Sequence, residues 1–249
     1  MNSAAAHIVE VRDISISFGE NHVLKSFSMV LNEGENVVVL GKSGSGKSVL
    51  IKCIIGLLQA DKGSIRVMGE EVCTMQPREL DKLRASIGFL FQSNALYDSM
   101  TVRENLEFPL RRHLRHLAPA EREKLVMEAL NDVALPHTIN YLPEELSGGM
   151  KKRIALARAL MLKPRIILYD EPTTGLDPIT AREISSLIVR IQKRYGTSAI
   201  IISHDMNCVR ATANRVVVLI DGKSYCEGSA LELSRSNDEQ VRGFFEISA

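Results

Sequence analysis

Three short segments of this 249-residue chain combine residue types and spacings that can handle phosphate. Gly41-Lys42-Ser43-Gly44-Ser45-Gly46-Lys47-Ser48 fits the spacing GxxxxGK[ST], after an apolar run and before a stretch of helical character. Glycines let such a loop curl until successive backbone N–H groups face one concavity, and the following helix N-terminus adds partial positive charge. A polyphosphate suits that shape and sign. Lys47 then reaches the outer phosphates, and Ser48 offers a hydroxyl to Mg²⁺, a hard cation that prefers oxygen. The second segment, Ile166-Ile167-Leu168-Tyr169-Asp170-Glu171, is an apolar strand ending in two adjacent carboxylates. Ligands bind beyond the C-terminal ends of strands in an open parallel sheet. Asp170 is placed to hold Mg²⁺ through water, and Glu171, leaving the strand on the other side, to polarise an attacking water. The third is Leu146-Ser147-Gly148-Gly149-Met150, opening a basic helical run from Lys151 to Leu160. Ser147 is a good N-cap, and a serine with two glycines at a helix start makes a second anion-binding site.

The elements that must position these segments read as alternating strands and helices, which points to an α/β fold. Residues 8–18 and 23–31 are β-rich, the second segment ending in the turn signal Asn32-Glu33-Gly34, and together they read as an antiparallel edge sheet. Asn36 to Leu40 is a short continuous apolar strand of the kind buried on both faces, followed by a helix from Lys47 to about Leu58. Further buried strands are expected at 87–91, 166–169, 199–202 and 216–220. Residues 93–162 read as a helical insertion into the sheet, with helices at 120–130 and 148–162. Such an insertion suggests a subdomain with its own task within one domain spanning 1–249.

Composition narrows the function classes. Thirty-one Lys plus Arg against 30 Asp plus Glu leave a formal charge of +1, which gives no electrostatic case for nucleic acid. The basic run Arg111-Arg112-His113-Leu114-Arg115-His116 reads as a solvated face. Cys53, Cys73, Cys208 and Cys226 form no CxxC pair, which argues against zinc or a disulfide framework and suits a reducing compartment. The start from Met1 to Val11 lacks a signal-peptide pattern, and no apolar run is long enough for a bilayer span. A cytosolic protein held at a membrane only by a partner is the expectation.

The Ser147 to Met150 segment, with the phosphate loop and paired carboxylates, resembles the ABC ATPase family, whose signature reads LSGGQ. The resemblance covers nearly the whole chain. It implies a P-loop NTPase fold with a mixed β core, and a working dimer sandwiching ATP and Mg²⁺. The loop residues Gly41 to Val49 of one copy and Ser147, Gly148, Gly149 and Met150 of the other would hold each nucleotide. It further implies that Gln92 is a Q-loop residue ligating Mg²⁺ beside Ser48 and Asp170. Leu176-Asp177 would form a D-loop between the dimer halves, His204 a switch histidine acting with Glu171, and Phe18 an aromatic stacked on adenine. A soluble ABC ATPase acting on nucleic acid or ribosomes generally carries two cassettes or a long coiled-coil insertion, and this chain has neither. A pure nucleotide switch would need neither Glu171 nor His204.

Within that family, Val49, Met150 and the stretch Ala95-Leu96-Tyr97-Asp98-Ser99-Met100 resemble the ATPase of MCE-linked phospholipid transport systems. That branch implies a polytopic permease, a membrane-anchored MCE lipid-binding protein and a small STAS-domain regulator as partners. The location implied is the cytoplasmic side of an inner membrane, and the cargo phospholipid. Residues 94–101 mix apolar and small polar types as a permease-docking groove does, while the tail from Leu231 to Ala249 is polar apart from Phe244, Phe245 and Ile247.

Overall fold

The protein is described by a computed structural model covering residues 7–246. The expectations placed on residues 1–6 and on Ile247 lie outside the described residues.

Two sheets carry the fold. The first is antiparallel, with strand order β2-β1-β4-β5, built from β1 (His7–Phe18), β2 (Asn21–Asn32), β4 (Lys62–Val67) and β5 (Glu70–Glu71). The second has the order β10-β9-β3-β8-β7-β6 and contains β3 (Asn36–Leu40), β6 (Ile87–Leu90), β7 (Ile166–Asp170), β8 (Ser198–Ser203), β9 (Arg215–Ile220) and β10 (Lys223–Gly228). Strands β6, β7, β8, β3 and β9 run parallel, and β10 closes the edge antiparallel to β9. The helices are α1 (Lys47–Ile54), α2 (Pro77–Ala85), α3 (Val102–His113), α4 (Pro119–Asp132), α5 (Gly148–Leu160), α6 (Pro178–Tyr195), α7 (Met206–Thr212), α8 (Ala230–Ser234) and α9 (Glu239–Glu246).

The central strands are apolar throughout because both of their faces are covered. Side chains alternate between faces with a period of two. Val37, Val39, Leu168, Ile200, Ile202 and Val217 face one core, shared with the antiparallel sheet and α1. Val38, Leu40, Tyr169, Ile201, Val216 and Val218 face the other, shared with α3 to α7. At the end opposite the phosphate loop, Arg215 ties three elements together. Its guanidinium lies 2.9 Å from Glu35, 2.7 Å from Glu227 and 2.8 Å from the Val30 carbonyl.

Several expected boundaries move. The first helix ends at Ile54 rather than near Leu58, because Gly56 turns left-handed at φ 63° and packs against Leu80, where a Cβ would stand 2.6 Å from Leu80 Cδ2. Strands β4, β5 and β10 and helices α2 and α6 to α9 lie outside the segments named from the sequence. Between β6 and β7 the chain forms α3, α4 and α5; α5 packs on β6 as well as on its helical neighbours. The basic run from Arg111 is solvated and partly paired, Arg111 with Glu107 at 2.6 Å and Arg112 with Asp81 at 3.6 Å. All four thiols are free. No helix among the described residues is long and apolar enough to cross a membrane.

Candidate functional site

Four neighbouring strands, β3, β8, β7 and β6, deliver their C-terminal ends to one edge of the sheet. In sequence their sites lie far apart; parallel pairing makes them adjacent. From β3 the chain enters the glycine loop. Gly46 takes φ 103° and presses on β2, where a Cβ would stand 2.9 Å from Val23 Cγ1, so a side chain is excluded on two counts.

Lys47, the first residue of α1, is only 5% exposed. Its ammonium donates to the carbonyls of Gly41 at 2.8 Å and Lys42 at 2.9 Å, and pairs with Glu171 Oε1 at 3.7 Å. Burial pulls its pKa down, against the opposing pull of Glu171 and Asp170. Ser48 Oγ donates to Asp170 Oδ1 at 2.9 Å. Burial pushes the Asp170 carboxyl up, the Ser48 hydrogen bond lowers it and the Glu171 charge adds to the rise.

Glu171 follows β7 in a left-handed conformation, φ 51°, which is uncommon for a residue with a side chain. Its N–H still donates to Ile202 O at 3.0 Å, so the twist occurs at the rim of the sheet and re-aims the carboxylate. His204 Nδ1 lies 2.8 Å from Glu171 Oε2, and Thr174 Oγ1 donates to the same oxygen at 3.2 Å. A cavity of about 320 Å³ lies over these groups, bordered by Ser43, Gly44, Gly46 to Val49, Gln92, Glu171 and His204. Phe18, half exposed, stands at its side. One cluster of residues thus combines a backbone-lined loop, a buried cation, an oxygen pair and a carboxylate–imidazole pair.

The second helix start lies elsewhere. Ser147 Oγ accepts from Met150 N at 3.3 Å and caps α5; Ser147 and Gly148 are exposed. Ser147, Gly148, Gly149 and Met150 do not border the cavity of their own chain. Gly149 packs on Thr180, where a Cβ would stand 2.5 Å from Thr180 Cγ2. Asp177 also stands apart from the cavity: its carboxylate caps α6, accepting from Ile179 N and Thr180 N at 3.0 Å each and from Thr180 Oγ1. Met150, partly buried, packs against the helical core.

Sequence reasoning missed Thr174, whose signal was a Thr-Thr pair just beyond the carboxylates. It also missed Thr173, which donates to Asp205 at 2.9 Å and steadies the turn carrying His204. Lys152 and Arg158 were seen only as part of a basic helix.

Fold and site together define a nucleotide-binding cassette of the P-loop class. The family model described as ABC transporter matches residues 24–174, and the chain belongs to that family. Among curated relatives, it is 39% identical over 226 residues to the methionine import ATP-binding protein MetN of Rhizobium etli, covering 91% of this chain and 62% of that protein. The chain therefore spans less than two thirds of that relative's length. It is 35% identical over 246 residues to the intermembrane phospholipid transport system ATP-binding protein MlaF of Escherichia coli, covering 99% of this chain and 91% of that one. Among solved structures, a dimeric ATP-binding cassette in a post-hydrolysis state bound to ADP and Pi superposes with a TM-score of 0.81 at 33% identity, covering 89% of this chain and 98% of that chain.

Proposed function

We propose that this chain is the ATP-hydrolysing subunit of an ABC transporter, that two copies close around ATP, and that the work drives phospholipid transport between inner and outer membranes with an MCE-type permease complex. One observation carries the dimer. The chain holds two anion-binding helix starts, at Gly46 and Ser147, yet only the first borders the cavity, so the second is available to a nucleotide on another copy. The dimeric ADP-bound relative supports that reading.

Lys47 sets a buried positive charge where the outer phosphates arrive, and the loop N–H groups surround the rest. Glu171 takes a proton from the attacking water, while His204 and Thr174 hold its Oε2 and fix the direction of Oε1. The Ser48 hydroxyl and Asp170 carboxylate lie 2.9 Å apart and Gln92 borders the same cavity as Ser48, so the three would offer an all-oxygen donor set suited to hydrated Mg²⁺. That ion would neutralise charge developing on the phosphates. Phe18 gives adenine a flat apolar surface.

Val49, Met150 and residues 95–100 support the phospholipid branch, as does the relative MlaF. The identity with MetN supports the second reading, an ATPase of a small-solute importer. In either case the chain sits on the cytoplasmic face of the membrane through its permease, and a STAS-domain regulator accompanies the phospholipid assembly.

Glu171→Gln is expected to keep ATP bound, trap a dimer on size exclusion and lower turnover by about 10²-fold or more. Turnover equal to that of the unaltered protein removes Glu171 from its role. Co-purification from detergent-solubilised membranes decides the cargo class: recovery of an MCE protein with the permease supports phospholipid, and recovery of a solute-receptor system overturns it.

A further inference from the structure

Helix α5, capped by Ser147, sends two cations into the loop that follows β6. Lys152, 2% exposed, donates from Nζ to Gln92 O at 2.7 Å and lies 3.4 Å from Phe91 O. Arg158 donates to Ala95 O at 2.8 Å and Asn94 O at 3.3 Å, with its guanidinium 5.8 Å from the centre of the Tyr97 ring. Of the five residues from Phe91 to Ala95, all but Ser93 are thus held by their carbonyls from one helix.

The held segment is strained. Asn94 and Ala95 both take left-handed backbone, φ 65° and 50°, and Asn94 Oδ1 is buried with no hydrogen-bond partner among the described residues. Such conformations cost about 1 kcal/mol or more apiece and persist only where the surroundings over-determine them. Charge-assisted hydrogen bonds from the helix supply that constraint. Lys152 is also a poor choice for stability alone. Burial lowers its pKa, Asp170 and Glu171 pull it up from a distance, and among the described residues no carboxylate lies within ion-pair range. A buried ammonium satisfied only by main-chain oxygens is harder to explain by packing than by the backbone it holds.

We infer that Lys152 and Arg158 act as a positioning clamp, passing engagement of the Ser147 helix start to Gln92 of the same chain. The inference rests on the ATP-bridged dimer proposed above. Ser147 of one copy meets the nucleotide of the other, whereas Gln92 borders its own copy's cavity. Lys152 is five residues along a rigid helix from Ser147, about 7.5 Å at 1.5 Å per residue. A shift of the helix start therefore carries the ammonium, and the Gln92 carbonyl with it. Each chain in this way reports the occupancy of one cavity to the other.

The test is an ATP titration of turnover with Lys152→Met in the full-length protein. Apolar Met fits the burial, so the variant is expected to melt at or above the parent's temperature and to bind ATP with unchanged affinity. Its kcat should fall about tenfold, on the scale of couplings carried by packed networks, and its Hill coefficient for ATP should approach one. Lys152→Arg should recover most of both. In a Gln92→Ala background the Lys152→Met loss should shrink to about twofold or less, since the two act in series. Parent-like kcat and cooperativity, or losses that multiply in the double variant, overturn the clamp. If Lys152→Met fails to fold, Arg158→Met, at the half-buried end of the clamp, is judged by the same outcomes. Trapping of the dimer by Glu171→Gln is scored in parallel. Its absence refutes the dimer itself, whereas its presence with parent-like Lys152→Met refutes the clamp alone.

Discussion

At Asp170, burial and chemistry pull in opposite directions. The carboxyl is only 7% exposed, and its pKa lies above the ordinary 3.8 chiefly because burial disfavours the charge. An acid raised on folding binds more protons folded than unfolded, so its cost is felt above the raised value and fades as pH falls toward 3.8. Asp170→Asn keeps an oxygen for Ser48 and removes the buried charge. It should raise the melting temperature of the nucleotide-free protein by about 2 °C or more at neutral pH, with the gain vanishing near pH 4, while abolishing turnover. A lower melting temperature at neutral pH would show that the Ser48 contact needs the full carboxylate. Such an exchange of stability for function was partly visible in the sequence. Adjacent carboxylates at the end of an apolar strand announce themselves, and so does a GxxxxGK[ST] loop. The hydrogen bond from Thr174 to Glu171 and the reach of Lys152 into another loop left no pattern, since each depends on where a distant backbone turns.

Among the elements, Asn105 organises the stretch entering α3. Fully buried, it accepts from Tyr97 N at 2.8 Å and donates to the carbonyls of Tyr97, Met100 and Thr101 between 3.0 and 3.1 Å. Thr101 and Glu104 complete the helix start as a reciprocal cap. Asn105→Ala strips these main-chain groups of partners in a dry site and should cost about 1–3 kcal/mol, with faster proteolysis within residues 95–101. Unchanged melting and cleavage would mean that water replaces the amide. Legibility at this scale followed burial. Strands β3, β7, β8 and β9, covered on both faces, stood out as continuous apolar runs. Strand β4 buries only Ile65 and Val67, α2 only Leu83, and β10 alternates polar residues across an exposed edge, so none of them rises above a polar background.

On the scale of the whole molecule, the C-terminal segment belongs to the core. It is polar apart from a few apolar residues, yet Val241 and Phe245 are buried in the helical core, and Tyr225 on β10 donates to Asp238 at 2.6 Å. Helix α9 also lays Gln240 and Phe244 along a second cavity, of about 540 Å³, behind Lys42 to Ser45. Phe245→Ala should therefore destabilise the full chain by about 3–5 kcal/mol in a denaturant titration. A change below about 1 kcal/mol would return the segment to the status of a tail.

The side-by-side placing of β3, β8, β7 and β6 also limits how this chain can change length. One residue added inside any of those strands displaces its terminal group by about 3.3 Å and turns every later side chain toward the wrong core. Insertions should survive instead in the turn at Glu33-Gly34, which enters β3 at the end away from the catalytic edge. A library carrying single-codon insertions at every position would, under selection, trace the outline of the catalytic edge as a run of forbidden sites.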